Sequence, residues 1–327
     1  MFWLRLIRWN NLLIILLTQL LAWWCVIVPL KRYPGLMERY TETPLLLTPL
    51  NFSLICLSTM LIAAAGYIIN DYFDIRIDAI NKPDEVILER QIPRRMAIIV
   101  HSALNIIALV FAGIVAWQAY HLEYMLLQVT CTLLLWQYST TWKRQFMTGN
   151  LIVALLTMLT IITLILYEPA VKGYLTSPFI IASPAHGSMI NPAYVLYFFC
   201  FFAFILTWIR EIVKDMEDYK GDAEEGCITM PIQWGLKKTI SFTRILGVIA
   251  LAGILLSALF MLSVDMATHH RWLLTIYLCF LFAAIAAWLF FIGKRLTTAH
   301  FHKASRYLKI IMVLGIGSLL LYRFQYA

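Results

Sequence analysis

The stretch Leu61-Ile62-Ala63-Ala64-Ala65-Gly66-Tyr67-Ile68-Ile69-Asn70-Asp71-Tyr72-Phe73-Asp74-Ile75-Arg76-Ile77-Asp78 runs from uninterrupted apolar residues straight into three aspartates. An apolar run of this kind belongs in lipid, where carboxylates are costly and mark function. The aspartates follow a D-x-x-D-x-x-x-D spacing. On a helix turning about 100° per residue, Asp71, Asp74 and Asp78 fall within an arc of roughly 60°. Like charges three or four residues apart repel. Such a face calls for a cation.

The same spacing recurs in Asp215-Met216-Glu217-Asp218-Tyr219-Lys220-Gly221-Asp222, again after a long apolar run. If the helix continues, Asp215, Asp218 and Asp222 share a face as the first triad does. Two matched sets suggest one site built from two halves, and an internal duplication. The imperfection is visible: Asn70 is matched by Lys214. Hard divalent ions take oxygen ligands, and Mg²⁺ typically combines one or two carboxylates with substrate phosphates and water.

Around these motifs the chain is 61% hydrophobic and 13% charged over 327 residues, against about 25% charged in soluble domains. It reads as an integral membrane protein. Apolar runs near the required length of about 20 residues lie at 11–30, 45–69, 96–117, 121–141, 149–167, 193–213, 241–264, 272–292 and 308–324. Helices satisfy their own backbone hydrogen bonds in lipid. The short alternating segments of a β-barrel are missing. The expected fold is all-α: nine transmembrane helices in one domain, 1–327. Arg5 and Arg8 precede a first apolar stretch too long for a signal peptide, which reads as a retained helix.

The net charge of +8 has a topological pattern. With nine alternating spans and the N-terminus inside, 20 Lys and Arg lie on the cytoplasmic side and 6 on the other. The positive-inside rule then places both aspartate motifs at the cytoplasmic face of the cell (inner) membrane. These cations give no nucleic-acid signature. The six cysteines are far apart, without metal-ligand spacing. His300, His302, His269 and His270 read as loop residues without a metal role.

Other polar groups gather at the same face. They are Tyr138-Ser139-Thr140-Thr141-Trp142-Lys143-Arg144 with Gly149-Asn150, Arg8 with Asn11, and two loops with cations among Gly and Pro. The loops run from Asn81-Lys82-Pro83 to Arg95 and from Gly221 to Lys238. Loops of this type can fold over a charged ligand and exclude water, although positive-inside anchoring explains many of their cations. Carboxylates for Mg²⁺, cations for phosphate and a lipid-embedded body suit a diphosphate on a hydrocarbon tail. Mg²⁺ would act as a Lewis acid on the departing diphosphate. Aromatic faces can stabilise an allylic cation.

These residues resemble the UbiA superfamily of intramembrane prenyltransferases over nearly the whole chain. The family's N-D-x-x-D-x-x-x-D stands as Asn70 to Asp78, and its D-x-x-D-x-x-x-D as Asp215 to Asp222. Its Y-x-x-x-x-K matches Tyr138 to Lys143, and R-x-x-N matches Arg8 to Asn11, with Trp9 where proline is common. The resemblance implies a helical bundle around a central cavity. In it Asp71, Asp74, Asp78, Asp215, Asp218 and Asp222 hold Mg²⁺, with Asn70 beside them. Asn70, Lys82, Lys143 and Arg144 touch the diphosphate, and Tyr138, Arg8 and Asn11 also serve it.

Arg210-Glu211-Ile212-Val213-Lys214-Asp215 looks most like the ether-lipid branch, which adds geranylgeranyl to geranylgeranylglyceryl phosphate. The donor is then an allylic prenyl diphosphate and the acceptor a lipophilic prenylated glycerol phosphate drawn from membrane lipid. The first loop departs from the family: Asn81-Lys82-Pro83 fits, but Asp84 to Arg90 lacks the usual Ser-Gly. Alternatives are an aromatic acceptor, as in quinone biosynthesis, and a divalent-cation transporter. Transporters place ion ligands near the bilayer midplane, whereas these acids lie at the ends of runs. The D-G-x-x-A-R element of CDP-alcohol phosphotransferases does not occur.

Overall fold

The computed structural model describes residues 2–29, 46–173, 180–183, 187–263 and 268–323. Residues 30, 45, 264 and 324, which bounded four of the expected spans, lie outside these, as does part of the 168–192 segment. Nine long helices make up the described chain: α1 (Trp9–Ile27), α2 (Pro49–Asn81), α3 (Arg94–Gln118), α4 (Met125–Thr140) and α5 (Thr148–Leu166). They continue with α6 (Pro192–Glu217), α7 (Met230–Ser263), α8 (Thr268–Phe291) and α9 (Thr298–Gly317).

Eight of the nine helices are long and apolar enough to cross a membrane. The exception is α4, whose 16 residues rise about 24 Å against a hydrocarbon core of about 30 Å. The chain is an integral membrane protein with a helical fold. The all-α reading holds, with one short addition: Ile180–Ser183 and Gly187–Ile190 pair as an antiparallel ribbon.

Local chemistry starts the two helices that carry the aspartates. Thr48 caps α2 by accepting from the Asn51 N–H at 3.4 Å, and Pro49 takes the first turn. Asn191 caps α6 through the Ala193 N–H at 3.0 Å, followed by Pro192. Proline is tolerated there because the first-turn N–H groups have no intrahelical partner. Between them, α2 packs on α3 and α4, while α5, α7 and α9 pack on α6. Ile55, Leu164, Leu196 and Ile212 are fully enclosed in the shared core.

Several helices outrun their apolar segments. α2 was expected to end near 69 and continues to Asn81, so the first aspartate motif is helical throughout. α9 begins at Thr298, ten residues before its apolar run, and this moves His300 and His302 from a loop onto a helix. His269 and His270 are likewise helical. α7 begins at Met230, and Gly235 interrupts it with φ 75°, a left-handed value that glycine adopts without steric cost.

The second motif departs from its expected geometry. α6 ends at Glu217, Asp218 takes φ −90° and ψ 8°, and a separate short helix covers Tyr219–Glu224. Asp215, Asp218 and Asp222 therefore do not lie on one continuous helical face.

Candidate active site

The C-terminal ends of α2 and α6 meet, and one side chain joins them. Asn81 donates through Nδ2 to the Asp218 carbonyl at 3.1 Å and accepts through Oδ1 from the Gly221 N–H at 2.8 Å. Glycine at 221 leaves room for this approach. A Cβ there would lie 2.5 Å from Asn81 Nδ2 and 2.7 Å from Oδ1. Next to Asn81, Lys82 Nζ reaches Asp218 Oδ1 at 2.8 Å and Glu217 Oε1 at 3.6 Å. Burial works against the Lys82 ammonium, but Asp218 and Glu217 outweigh it and hold its pKa above the ordinary lysine value. His302 of α9 meets Glu217 Oε1 from the other side, at 2.8 Å through Nδ1.

Deeper in the bundle, Lys143 pairs with Asp74, which is buried. Asn70 Nδ2 donates to the same Asp74 oxygen at 2.7 Å. Lys143 stands on the 3-10 turn Trp142–Arg144 after α4. The turn is pressed against α5 at Gly149, where a Cβ would lie 2.9 Å from the Lys143 Cα and 3.3 Å from the Tyr138 ring. Burial opposes the Lys143 charge, but Asp74 and Tyr138 overcome it and raise the pKa. Arg8, in a left-handed conformation at the start of α1, donates to Asp71 Oδ1 at 2.7 Å. Its guanidinium lies 5.1 Å from the centre of the Tyr67 ring. Asn150 of α5 donates to Asp215 Oδ2 at 2.8 Å.

The structure thus gathers Asn70, Asp71, Asp74, Asp78, Asp215, Asp218, Asp222, Lys82, Tyr138, Lys143 and Arg8 at one end of the bundle. Asp222 is buried beside Asp218 and within electrostatic range of Lys143 and Asp74 of the first motif. Its pKa is pushed up to about 6, first by burial and then by the repulsion of Asp218 and Asp74. Two further sequence candidates make other contacts. Arg144 is exposed, and its backbone carbonyl accepts from the Ile228 N–H at 2.8 Å. Asn11 accepts from Lys309 Nζ of α9 at 2.6 Å.

Asn81, Asn150, Glu217, His302 and Lys309 were not among the sequence candidates. Asn81 and Asn150 border motifs that were recognised. Glu217 lies inside the second motif, whereas His302 and Lys309 carried no local signal, because their partners lie far away in the chain.

The residues present fit a divalent cation that brings its own oxygen ligands. Among the described residues no three His, Cys, Asp or Glu side chains form a metal cage. Such openness suits Mg²⁺, which commonly takes one or two carboxylates and completes its shell with phosphate and water. Asn70 Oδ1 is buried without a hydrogen-bond partner beside Asp74. An orphaned acceptor next to crowded carboxylates is the environment a hard cation or its hydration water satisfies.

Comparison with known proteins agrees with this geometry. A model described as the UbiA prenyltransferase family matches residues 40–322. A digeranylgeranylglyceryl phosphate synthase of Methanosphaera stadtmanae is 29% identical over 80% of this chain and 84% of its own. A solved structure from work on the biosynthesis of digeranylgeranylglyceryl phosphate synthase in membranes aligns with a TM-score of 0.62. It is 23% identical and covers 99% of this chain and 97% of that one. A UbiA homologue from Archaeoglobus fulgidus, bound to GPP and Mg²⁺, aligns with a TM-score of 0.52 at 15% identity. It covers 98% of this chain and 100% of that one.

Proposed function

The chain belongs to the UbiA prenyltransferase family, and we propose that it transfers a prenyl group, with Mg²⁺, from an allylic diphosphate to a prenylated glycerol phosphate. The observation that carries this reading is the junction of the two motifs. Asn81 and Lys82 hold Asp218 and Gly221 against the end of α2, the helix whose Asp74 meets Lys143. The relatives named digeranylgeranylglyceryl phosphate synthase support the acceptor class. The homologue with GPP and Mg²⁺ supports the donor and the metal. The whole of 1–327 serves as one catalytic unit. Its site faces the cytoplasm from the cell membrane, a reading supported by the 20-to-6 distribution of Lys and Arg.

Each residue has a task in this reaction. Asp71, Asp74 and Asp78 from α2, with Asp215, Asp218 and Asp222, supply the oxygen ligands. Bound Mg²⁺ supplies Lewis acidity that eases departure of the diphosphate. Lys82, Lys143 and Arg8 now neutralise carboxylates, and they are the donors nearest to any phosphate oxygen. Asn81 and Gly221 close the two motifs on each other, which limits water at the reacting carbon. The C–O bond to diphosphate breaks and the electron pair leaves with it. The acceptor hydroxyl oxygen bonds to the allylic carbon and releases its proton. Tyr72 and Phe73, edge to face at 5.2 Å on α2, offer aromatic surface near the first motif.

The test uses membranes carrying the chain, labelled geranylgeranyl diphosphate and a panel of acceptors. Geranylgeranylglyceryl phosphate should give a diether phosphate by mass, lost on chelation and restored by Mg²⁺. Product from 4-hydroxybenzoate alone would overturn the acceptor, and metal-independent turnover would overturn the mechanism.

A further inference from the structure

Where Lys82, Lys143 and Arg8 each meet a carboxylate, Arg210 and Lys214 at the same end of the bundle share one, and Lys309 bonds to an amide instead. Arg210 and Lys214 stand four residues apart on one face of α6, and Glu211 bridges them. Arg210 Nη1 reaches Glu211 Oε1 at 3.0 Å, and Lys214 Nζ reaches Oε2 at 3.0 Å. Lys309 approaches from α9, where its bonded partner is the neutral amide oxygen of Asn11 at 2.6 Å. Lys309 lies within repulsive range of both Arg210 and Lys214, and Lys214 also feels Arg8. Arg210 Nε is buried with no hydrogen-bond partner. An unpaired buried guanidinium donor is expensive, and cations four apart on a helix repel.

The group of Arg210, Glu211, Lys214 and Lys309 carries two more positive charges than negative. A phosphate monoester carries about −1.5 to −2 near neutral pH, with three strong acceptor oxygens. A guanidinium is suited to binding two of those oxygens together. The cluster adjoins the metal site, since Lys214 is followed directly by Asp215. Its donors bond to Glu211 and Asn11 and not to the aspartates that would hold Mg²⁺ for the donor diphosphate. A single carboxylate, as on a benzoate acceptor, would leave one cation uncompensated.

We propose that Arg210, Lys214 and Lys309 form the site for the acceptor's phosphate group. This rests on the prenylglyceryl phosphate reading above and adds where the headgroup sits. α6 then serves both substrates: Asp215 faces the donor, while Arg210 and Lys214, one turn earlier, hold the acceptor. Lys309 brings α9 into acceptor recognition, a role that no motif in the sequence assigns.

The experiment measures KM for each substrate in wild type, Lys309→Gln, Lys309→Arg and Arg210→Lys. It uses geranylgeranyl diphosphate as donor, with geranylgeranylglyceryl phosphate or its phosphate-free glycerol as acceptor. Lys309→Gln should raise KM for the phosphate acceptor about tenfold and leave donor KM within about twofold, consistent with loss of one charge-assisted hydrogen bond. Lys309→Arg should recover most of that affinity, and Arg210→Lys should act in the same direction as Lys309→Gln. With the phosphate-free glycerol, wild type and Lys309→Gln should behave alike. An equal loss with both acceptors, or a rise in donor KM instead, overturns the site. If wild type makes no product from the phosphate acceptor but does prenylate an aromatic one, the acceptor reading itself fails, and the site falls with it.

Discussion

The two aspartate motifs have the same spacing and different architecture. In the first, α2 runs unbroken to Asn81, and its acids are met by side chains from other elements, Arg8 on Asp71 and Lys143 on Asp74, with Asn70 of α2 itself also on Asp74. In the second, α6 stops at Glu217 and the chain turns at Asp218 into a short helix carrying Asp222. The first is a rigid rail inside the bundle, and the second is a flap fastened to it by Asn81 and Lys82. Identical spacing fixes which residue types are present. Which of them stand on a helix is decided by the partners each motif finds.

The contrast predicts unequal responses to mutation, with the largest on the rail. Asp74→Asn keeps the shape and can keep the Asn70 contact, but it leaves the Lys143 ammonium without its carboxylate. Breaking one partner of a buried pair costs about 3–5 kcal/mol. Together with a lost metal ligand, kcat should fall by about 10³-fold at saturating Mg²⁺. Membrane insertion, followed by detergent extraction and size-exclusion profile, should be unchanged. An active Asp74→Asn enzyme would break the assignment of α2 as the catalytic rail.

On the flap, Asn81→Ala removes two hydrogen bonds to the second motif. At about 1 kcal/mol each, activity should drop roughly 10- to 50-fold. Gly221→Ala should cause a similar loss, because its Cβ would push into the Asn81 amide. Combining them should cost little more than either alone, since the smaller residue at 81 makes room. Additive losses in this double-mutant cycle would show that Asn81 and Gly221 act separately, and the flap would have to be fastened elsewhere.

The smallest effect is expected at the outer edge. His302 is exposed, and its bond to Glu217 is a second support for a carboxylate that Lys82 also approaches. His302→Ala should lower activity by no more than about threefold, in keeping with the low worth of exposed pairs. A loss as large as that of Asn81→Ala would make α9 a principal anchor of the flap.

Helical architecture, membrane character and the gathering of both motifs at one end were legible because each is written in local sequence. Apolar runs give spans, and a carboxylate triad after a span gives a site. The break at Asp218 was not legible. It is stabilised by the amide of Asn81, 137 residues away, which takes up the Asp218 carbonyl. No pattern within the motif encodes that bond. His302 and Lys309 were missed for a related reason. Their helix starts at Thr298 with polar residues, and a search for apolar runs begins only at 308. Arg144 was expected to act together with Lys143. It neighbours Lys143 in sequence, but the tight turn after α4 sends one side chain inward and leaves the other in the open.

The brevity of α4 has a consequence for the surrounding lipid. Its outer surface presents Leu126, Leu133 and Trp136 to the acyl chains. With a rise of only about 24 Å, it falls short of a hydrocarbon slab of about 30 Å. Lipids adapt to such hydrophobic mismatch by thinning locally. Beside α4 the two headgroup layers would draw together, and α4 leads directly into the turn that carries Lys143. Amphiphiles diffusing in the bilayer would meet a dip there, where a charged headgroup can come down toward the level of the buried carboxylates while its tail stays in oil.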